Sequence, residues 1–216
     1  MIKVLLLLFL LLFFSSCSFK SPQNEWQKKS SNAFSSYTKN FLSNNSSLAE
    51  NDLNRAIKHA KQSADLKQLA GVYLGKCALN ISVGIEDSCQ KYLEISDVVK
   101  SKKLDSYYKF ITHSISKGEI QYLPQNYQEY ILNIQSSNFK EANKNILNMQ
   151  RVTSTLLCAV LIEKNLESSS REKITKLVSF YGYKKAVLFW LNEQKKYEID
   201  KEKRRVIDKK ISILNY

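Results

Sequence analysis

The chain contains only five glycines and two prolines among 216 residues, and this scarcity limits the folds open to it. Glycine and proline are the residues at which chains most often turn between strands. The sequence is rich instead in lysine, leucine, alanine, glutamate and glutamine, which favour helices. A fold of many short strands would need more turn residues, so the sequence predicts an all-α protein.

Apolar residues recur at the spacing of three and four residues that defines one face of a helix. Leu69, Tyr73, Cys77 and Ile81 follow one such stripe. Stripes of this kind predict ten helices, near residues 25–43, 48–63, 65–81, 88–99, 102–117, 124–136, 139–149, 151–165, 170–181 and 183–212.

Several residues are placed to start or stop these helices. Ser47 with Glu50, and Ser169 with Glu172, have the spacing of capping boxes. Two further residues are expected to be N-caps: Asp87 and Asn138. Three glycines that follow apolar stripes are expected to end helices: Gly84, Gly118 and Gly182.

Short helices with short connections predict stacked antiparallel pairs, and Gly84 and Gly118 lie 34 residues apart, close to a helix-pair repeat. The stretch Leu69-Ala70-Gly71-Val72-Tyr73 resembles the first helix of a tetratricopeptide repeat (TPR). The resemblance implies a TPR-like α-solenoid. An irregular bundle of helical hairpins is the alternative.

The N-terminal segment has the three parts of a secretory signal peptide. Lys3 gives a charged start, residues 4–14 are all apolar, and small residues follow. Eleven residues span about 16 Å as a helix, whereas a bilayer core is about 30 Å thick. The segment is therefore expected to be a signal peptide and not a transmembrane helix.

Ser15-Ser16-Cys17 resembles the lipobox of bacterial lipoproteins, with Phe14 at a position that usually holds leucine. The resemblance implies cleavage before Cys17, fatty acids on that cysteine, and stable membrane attachment. Ser18 replaces the Asp that marks inner-membrane retention in that family, which favours the outer membrane. The expected divisions are a signal peptide (1–16), a lipidated cysteine with a short tether (17–24) and a helical domain (25–216). An ordinary signal peptide or anchor with an incidental Cys17 is the alternative.

Three more cysteines remain: Cys77, Cys89 and Cys158. In an oxidising periplasm disulfides persist, and an antiparallel hairpin would bring Cys77 beside Cys89. We predict that these two form a disulfide, the alternative being two buried free thiols. Cys158 lies within a continuous apolar run and is expected to be a core residue and not a nucleophile.

The sequence offers no catalytic residue, metal site or cofactor site. His59 and His113 stand alone, and neither belongs to a zinc-binding pattern. Signatures of serine hydrolases, phosphate-binding loops and dinucleotide-binding folds are absent from the sequence. A pair of carboxylates assembled from distant positions is the one catalytic arrangement that leaves no local motif.

The formal net charge is +13. Eight basic residues and four acidic ones fall between residues 195 and 210. Such a surface could contact anionic lipid head groups or acidic cell-wall polymers, and an ordinary solvated helix face is the alternative. Ile207, Ile211 and Leu214 form only a thin apolar stripe there, so this helix is a candidate for partner binding.

These features together favour a membrane-anchored, periplasm-facing lipoprotein that acts as a helical protein-interaction module without catalytic activity. The resemblance to lipoproteins with tetratricopeptide repeats implies a role as an accessory subunit of an envelope assembly or secretion machine. Neither nucleic acid nor a small-molecule substrate is expected as a partner. The alternative is a periplasmic protein or enzyme that acts on cell-wall glycans.

Replacement of Cys17 tests the lipoprotein hypothesis. We expect Cys17→Ala to abolish labelling by a clickable fatty acid and to leave the protein unprocessed or released from membranes, because the acceptor thiol is gone. In-gel fluorescence and fractionation measure both effects, with Cys158→Ala as the control that keeps the acceptor. A Cys17→Ala protein that still labels and still sediments with membranes would contradict the hypothesis.

Overall fold

A computed structural model describes residues 24–215, and within them helices are the only regular secondary structure. Eleven α-helices follow one another in this part of the chain: α1 (Glu25–Leu42), α2 (Ser46–Ala60), α3 (Lys67–Ile81), α4 (Gln90–Val99), α5 (Lys102–Ile111), α6 (Gln125–Gln135), α7 (Phe139–Leu147), α8 (Val152–Leu161), α9 (Ser168–Phe180), α10 (Lys184–Tyr197) and α11 (Lys201–Asn215). Short 3-10 helices occupy Lys117–Tyr122 and Glu163–Asn165. The all-α prediction is confirmed.

Neighbouring helices pack as pairs. Helix α1 packs along α2, α3 along α4, α6 along α7, and α9 along α10, while α11 packs on α10. Short connections force this arrangement, because a chain that turns within a few residues must run back beside the helix it has just left. The predicted stacking of helix pairs is therefore present.

Helix α8 lies at the centre of the core. Its residues 154–159 are all buried, and α8 contacts α3, α7 and α9. The hydroxyl of the fully buried Tyr130 donates a hydrogen bond of 2.5 Å to the carbonyl of Cys158. Helix α10 also returns to α1, where the Lys185 ammonium lies 4.0 Å from the centre of the Phe41 ring. These contacts between distant helices differ from those of an open solenoid, in which each repeat meets only its neighbours.

Two of the three glycines expected to stop helices do so. Gly84 and Gly182 adopt left-handed backbone, with φ of +73° and +67°, a conformation that glycine enters without steric cost. The expectation for Gly118 was wrong, because α5 already ends at Ile111 and Gly118 lies within a 3-10 helix.

The predicted starts of helices were only partly right. Asn138 caps α7, and its side chain accepts a bond of 3.4 Å from the Glu141 N–H. The two predicted capping boxes are not used, because α2 and α9 begin earlier, after Asn45 and Glu167. A tertiary contact fixes the second start, since the Glu167 N–H donates to the Asn143 side-chain oxygen at 3.0 Å.

The last predicted helix, over residues 183–212, is two helices. The chain leaves the helix at Glu198, whose φ and ψ are −79° and 123°. Asp200 then starts α11, because its carboxylate accepts from the N–H groups of Glu202 and Lys203 at 2.8 and 3.1 Å. Helix α11 can therefore fold back along α10 instead of projecting from it.

Gly84 is expected to be the most sensitive glycine. A Cβ atom there would collide with the Phe189 ring, whereas nothing lies within 4 Å of the corresponding position at Gly182. Both glycines share the positive φ, so Gly182→Ala is the matched control. We expect Gly182→Ala to cost about 1 kcal/mol, and Gly84→Ala about 3 kcal/mol because overpacking adds to the backbone strain. Urea unfolding monitored by circular dichroism measures both, and equal costs would contradict the close packing of Phe189.

Candidate interaction groove

A groove with a volume of about 1000 Å³ runs between α9, α10 and α11. Residues 172–180 of α9 form one wall, residues 202–214 of α11 form the other, and residues 187–194 of α10 form the floor, with Glu198 just beyond the end of α10. Most of its lining is apolar and comes from Phe180, Val187, Leu191, Val206, Ile207, Ile213 and Leu214. We call this feature the C-terminal groove.

The groove is open because α11 buries little of its own apolar surface. Ile207 is the buried residue of this helix, while Val206 is 51% and Ile213 is 62% exposed. An ion pair of 2.5 Å between Lys195 and Asp208 holds α11 against α10 at one edge. The sequence predicted the thin stripe of α11, but not the opposite wall, because that wall depends on how α9 and α10 pack.

Polar atoms on the floor of the groove are already satisfied. The Gln194 side chain donates hydrogen bonds of 2.5 Å to the Thr175 hydroxyl and of 3.1 Å to the Arg171 carbonyl. A ligand therefore needs no polar group to fill the bottom of the groove. Charges are found on the rim instead, from Glu172, Lys176, Glu198, Glu202, Lys203 and Lys210.

Arg171 fixes the wall that α9 contributes. It is 3% exposed, its guanidinium donates to the carbonyls of Leu166 and Glu163, and it lies 3.9 Å from the centre of the Tyr197 ring. One buried side chain thus connects the start of α9, the preceding 3-10 helix and the end of α10. These contacts hold the α9 wall of the groove in a fixed position relative to α10.

Cys77 and Cys89 lie at disulfide-bonding distance, with their Cα atoms 5.2 Å apart. Asp87, expected as an N-cap, instead supports the loop between them. Its carboxylate accepts from the Cys89 N–H at 2.8 Å and from the Asn80 amide at 2.7 Å. The Asp87 carboxylate and the two sulfurs form a cluster of possible metal ligands, but sulfurs bonded to each other offer no thiolate to a metal.

Cys158 is a core residue, as predicted. It is fully buried, and burial raises the pKa of its thiol well above the ordinary value. Since the thiolate is the reactive form, this cysteine is shielded from chemistry in the folded protein. Within residues 24–215, neither His59 nor His113 belongs to a cluster of metal-ligating groups.

A second cavity, of about 870 Å³, has tyrosines and charged residues in its lining, among them Tyr92, Tyr108 and Tyr122. Two of its three carboxylates, Asp105 and Glu119, already have partners. The Tyr92 hydroxyl donates to Asp105 at 2.5 Å, and Glu119 pairs with Lys109. Hydrogen bonds from Lys109 and Ser116 lower the pKa of Glu119 to about 2, so this group is ionised at neutral pH and unsuited to donating a proton.

Glu163 and Glu193 are two interacting carboxyl groups in the described part of the chain whose pKa values are shifted in opposite directions. A hydrogen bond from Lys196 lowers the pKa of Glu163, and burial raises the pKa of Glu193. Such divergence is typical of acid–base pairs. Neither residue, however, lines either of the two large cavities, and the cavity beside the neighbouring Arg171 and Tyr197 measures only about 20 Å³, room for one water and not for a glycan.

The predicted lipidation site, Cys17, lies outside the described residues. Among residues 24–215, none of the helices combines the length and the apolar character needed to cross a bilayer. The fold is an all-α helical bundle with an open groove at its C-terminal edge. Comparison of the chain with protein-family models, curated proteins and solved structures gives no significant match.

Differential alkylation tests the placement of the three described cysteines. We expect Cys77 and Cys89 in purified oxidised protein to react with maleimide only after reduction, and Cys158 only after unfolding. Peptide mass spectrometry of samples alkylated before reduction, after reduction, and after reduction in guanidinium separates the three classes. Early modification of Cys158, or a bridge that includes it, would contradict its position in the core.

Proposed function

We propose that this protein is a lipid-anchored subunit of the bacterial cell envelope, facing the periplasm, that binds a partner protein through the C-terminal groove. The observation that carries this proposal is an open, mostly apolar groove with charges restricted to its rim. An apolar surface of this extent gains free energy when a partner covers it.

The occupant we propose is one amphipathic helix of the partner. The α11 wall from residue 202 to residue 214 is about 18 Å long at 1.5 Å per residue. Three to four turns of a partner helix match that length, and recognition of a helix by a groove relies on anchors at helical spacing. Because the polar atoms on the floor of the groove already have hydrogen-bond partners, the groove favours apolar anchors of the partner helix over polar ones.

The charged residues on the rim of the groove also restrict which partner helix can bind. Glu172, Glu198 and Glu202 mark the end of the groove near the connection between α10 and α11, where a partner helix would present basic residues. Lys176 and Lys210 lie further along the walls, where acidic residues would be favoured. The net charge of +13 also favours encounter with an acidic partner.

The anchor we propose is a set of fatty acids on Cys17, in the outer membrane. Seven residues separate Cys17 from Glu25 and reach at most about 25 Å. The partner is therefore membrane-embedded or close to the membrane, as expected of an accessory subunit of an envelope assembly or secretion machine. Nucleic acid and small-molecule substrates have no part in this proposal.

A second candidate is binding of cell-wall glycans in the tyrosine-lined cavity. The observation that favours it is that the partly exposed Tyr108 and Tyr122 line this cavity together with Asp105 and Lys109. Aromatic faces and charged hydrogen-bonding groups together suit sugar rings. Retention on purified peptidoglycan that is lost in Tyr122→Ala, while groove variants are unaffected, would favour this candidate.

Site-specific crosslinking in living cells tests the groove. With a photoreactive benzoylphenylalanine at position 206, we expect an adduct to one envelope protein, mapped by mass spectrometry to an amphipathic helical segment. The same group at position 98 is the control, because Val98 is 72% exposed and lines neither cavity. Adding Ser179→Trp should lower the adduct yield several-fold, because its side chain fills the groove from the α9 wall.

Three results would contradict the proposal. One is equal capture of the same protein from positions 98 and 206. Another is an adduct at position 206 that Ser179→Trp leaves unchanged in yield. The third is an adduct that maps to a flat, non-helical surface of the captured protein.

A further inference from the structure

The turn between α9 and α10 presents aromatic side chains to solvent. Phe180 is 83% exposed, and Tyr181 is 49% exposed. Gly182, at φ +67°, makes the sharp reversal. We call residues 180–183 the aromatic turn.

The rings of the aromatic turn contact one another, and Tyr183 also packs on the core. Phe180 meets Tyr181 edge to face at 5.3 Å, and Tyr181 stacks on Tyr183 at 5.5 Å. A phenylalanine this exposed contributes little to the core, and an isolated exposed apolar residue needs no explanation. Three neighbouring aromatic residues in one turn form a contiguous patch, and a patch of this kind does need an explanation.

Lysines flank the aromatic turn in the sequence, and acidic residues do not. Residues 176–192 contain Lys176, Lys184 and Lys185 and no acidic residue. The end of α11, which lines the same groove as Phe180, adds Lys209 and Lys210, and residues 209–215 also lack acids. The acidic rim of the groove lies at its other end.

We infer that the aromatic turn and its lysines dock onto the surface of an anionic lipid bilayer. Tyrosine and other aromatic rings settle at the boundary between head groups and acyl chains, while lysines beside them are attracted to anionic head groups. A soluble acidic polymer would pair with the lysines but would gain nothing from Phe180.

The position of the aromatic turn sets how the protein lies on the membrane, and this step rests on the proposed function. Lys185 sits over Phe41 near the end of α1, whereas the chain enters α1 at Glu25. These two points are about 24 Å apart at 1.5 Å per residue. An anchor at one end of α1 and the aromatic turn at the other place α1 along the bilayer, with the groove opening beside it.

An environment-sensitive fluorophore at the turn tests the inference. The full chain with Cys17→Ser and Phe180→Cys is labelled with nitrobenzoxadiazole, while Cys158 is buried and the remaining two cysteines are paired. We expect emission to rise several-fold and shift to shorter wavelength with phosphatidylglycerol vesicles, and far less with phosphatidylcholine vesicles. Ile199→Cys is the matched control, because Ile199 is 95% exposed and lies at the opposite end of α10.

Charge reversal and salt complete the experiment. Adding Lys176→Glu and Lys184→Glu, both at accessible positions, should abolish most of the response at position 180 without changing the circular dichroism spectrum. High salt should reduce it in the parent protein. Equal responses at positions 180 and 199, equal responses to the two lipids, or no response at all would each overturn the inference. The Cys17→Ala experiment in cells is independent of these outcomes. It therefore distinguishes a failure of the bilayer-docking inference from a failure of the proposed lipid anchor.

Discussion

Burial of α8 on every side is the constraint on which the rest of the fold depends. Six consecutive residues of this helix, 154–159, are buried, and because six residues cover every side of a helix, neighbouring helices must enclose it. Leu156 and Leu157 alone contribute about 1.5 to 3 kcal/mol each relative to an exposed position. The hydrogen bond from Tyr130 to the Cys158 carbonyl fixes how α8 sits against α6. Helices α3, α7 and α9 therefore converge on α8, and the stacked pairs close into a bundle.

A bundle closed around α8 leaves its last helices at the edge. Helix α9 contacts α8 directly, and α10 reaches α1, but α11 packs mainly on α10 and buries only Ile207. The groove is the space that remains because α11 has too narrow a stripe to fill it. Arg171 and its carbonyl partners keep the α9 wall in place, so the opening follows from packing and does not require a flexible segment.

The periodicity of apolar residues was sufficient to predict that helices form, but not where the helices end or how they pack together. The break at Glu198 was missed because neither glycine nor proline marks it, and the capping carboxylate of Asp200 acts only once the chain has turned. The start of α9 depends on Asn143, 24 residues away. The approach of Cys77 and Cys89 to disulfide-bonding distance could be predicted because an antiparallel hairpin brings the two residues side by side. The groove could be predicted only on its α11 side, and the aromatic turn was overlooked although its aromatic residues flank a glycine stop.

The two proposed surfaces meet at Phe180, which ends the groove and begins the aromatic turn. This shared residue has a physical consequence. A bilayer that takes up the turn would cover the basic end of the groove, while the acidic end, with Glu198 and Glu202, would face away from the lipid. A partner helix would then lie along the groove with its acidic end toward the bilayer and its basic end toward the periplasm. This orientation places the partner beside the membrane, which agrees with the short stretch of sequence between Cys17 and Glu25.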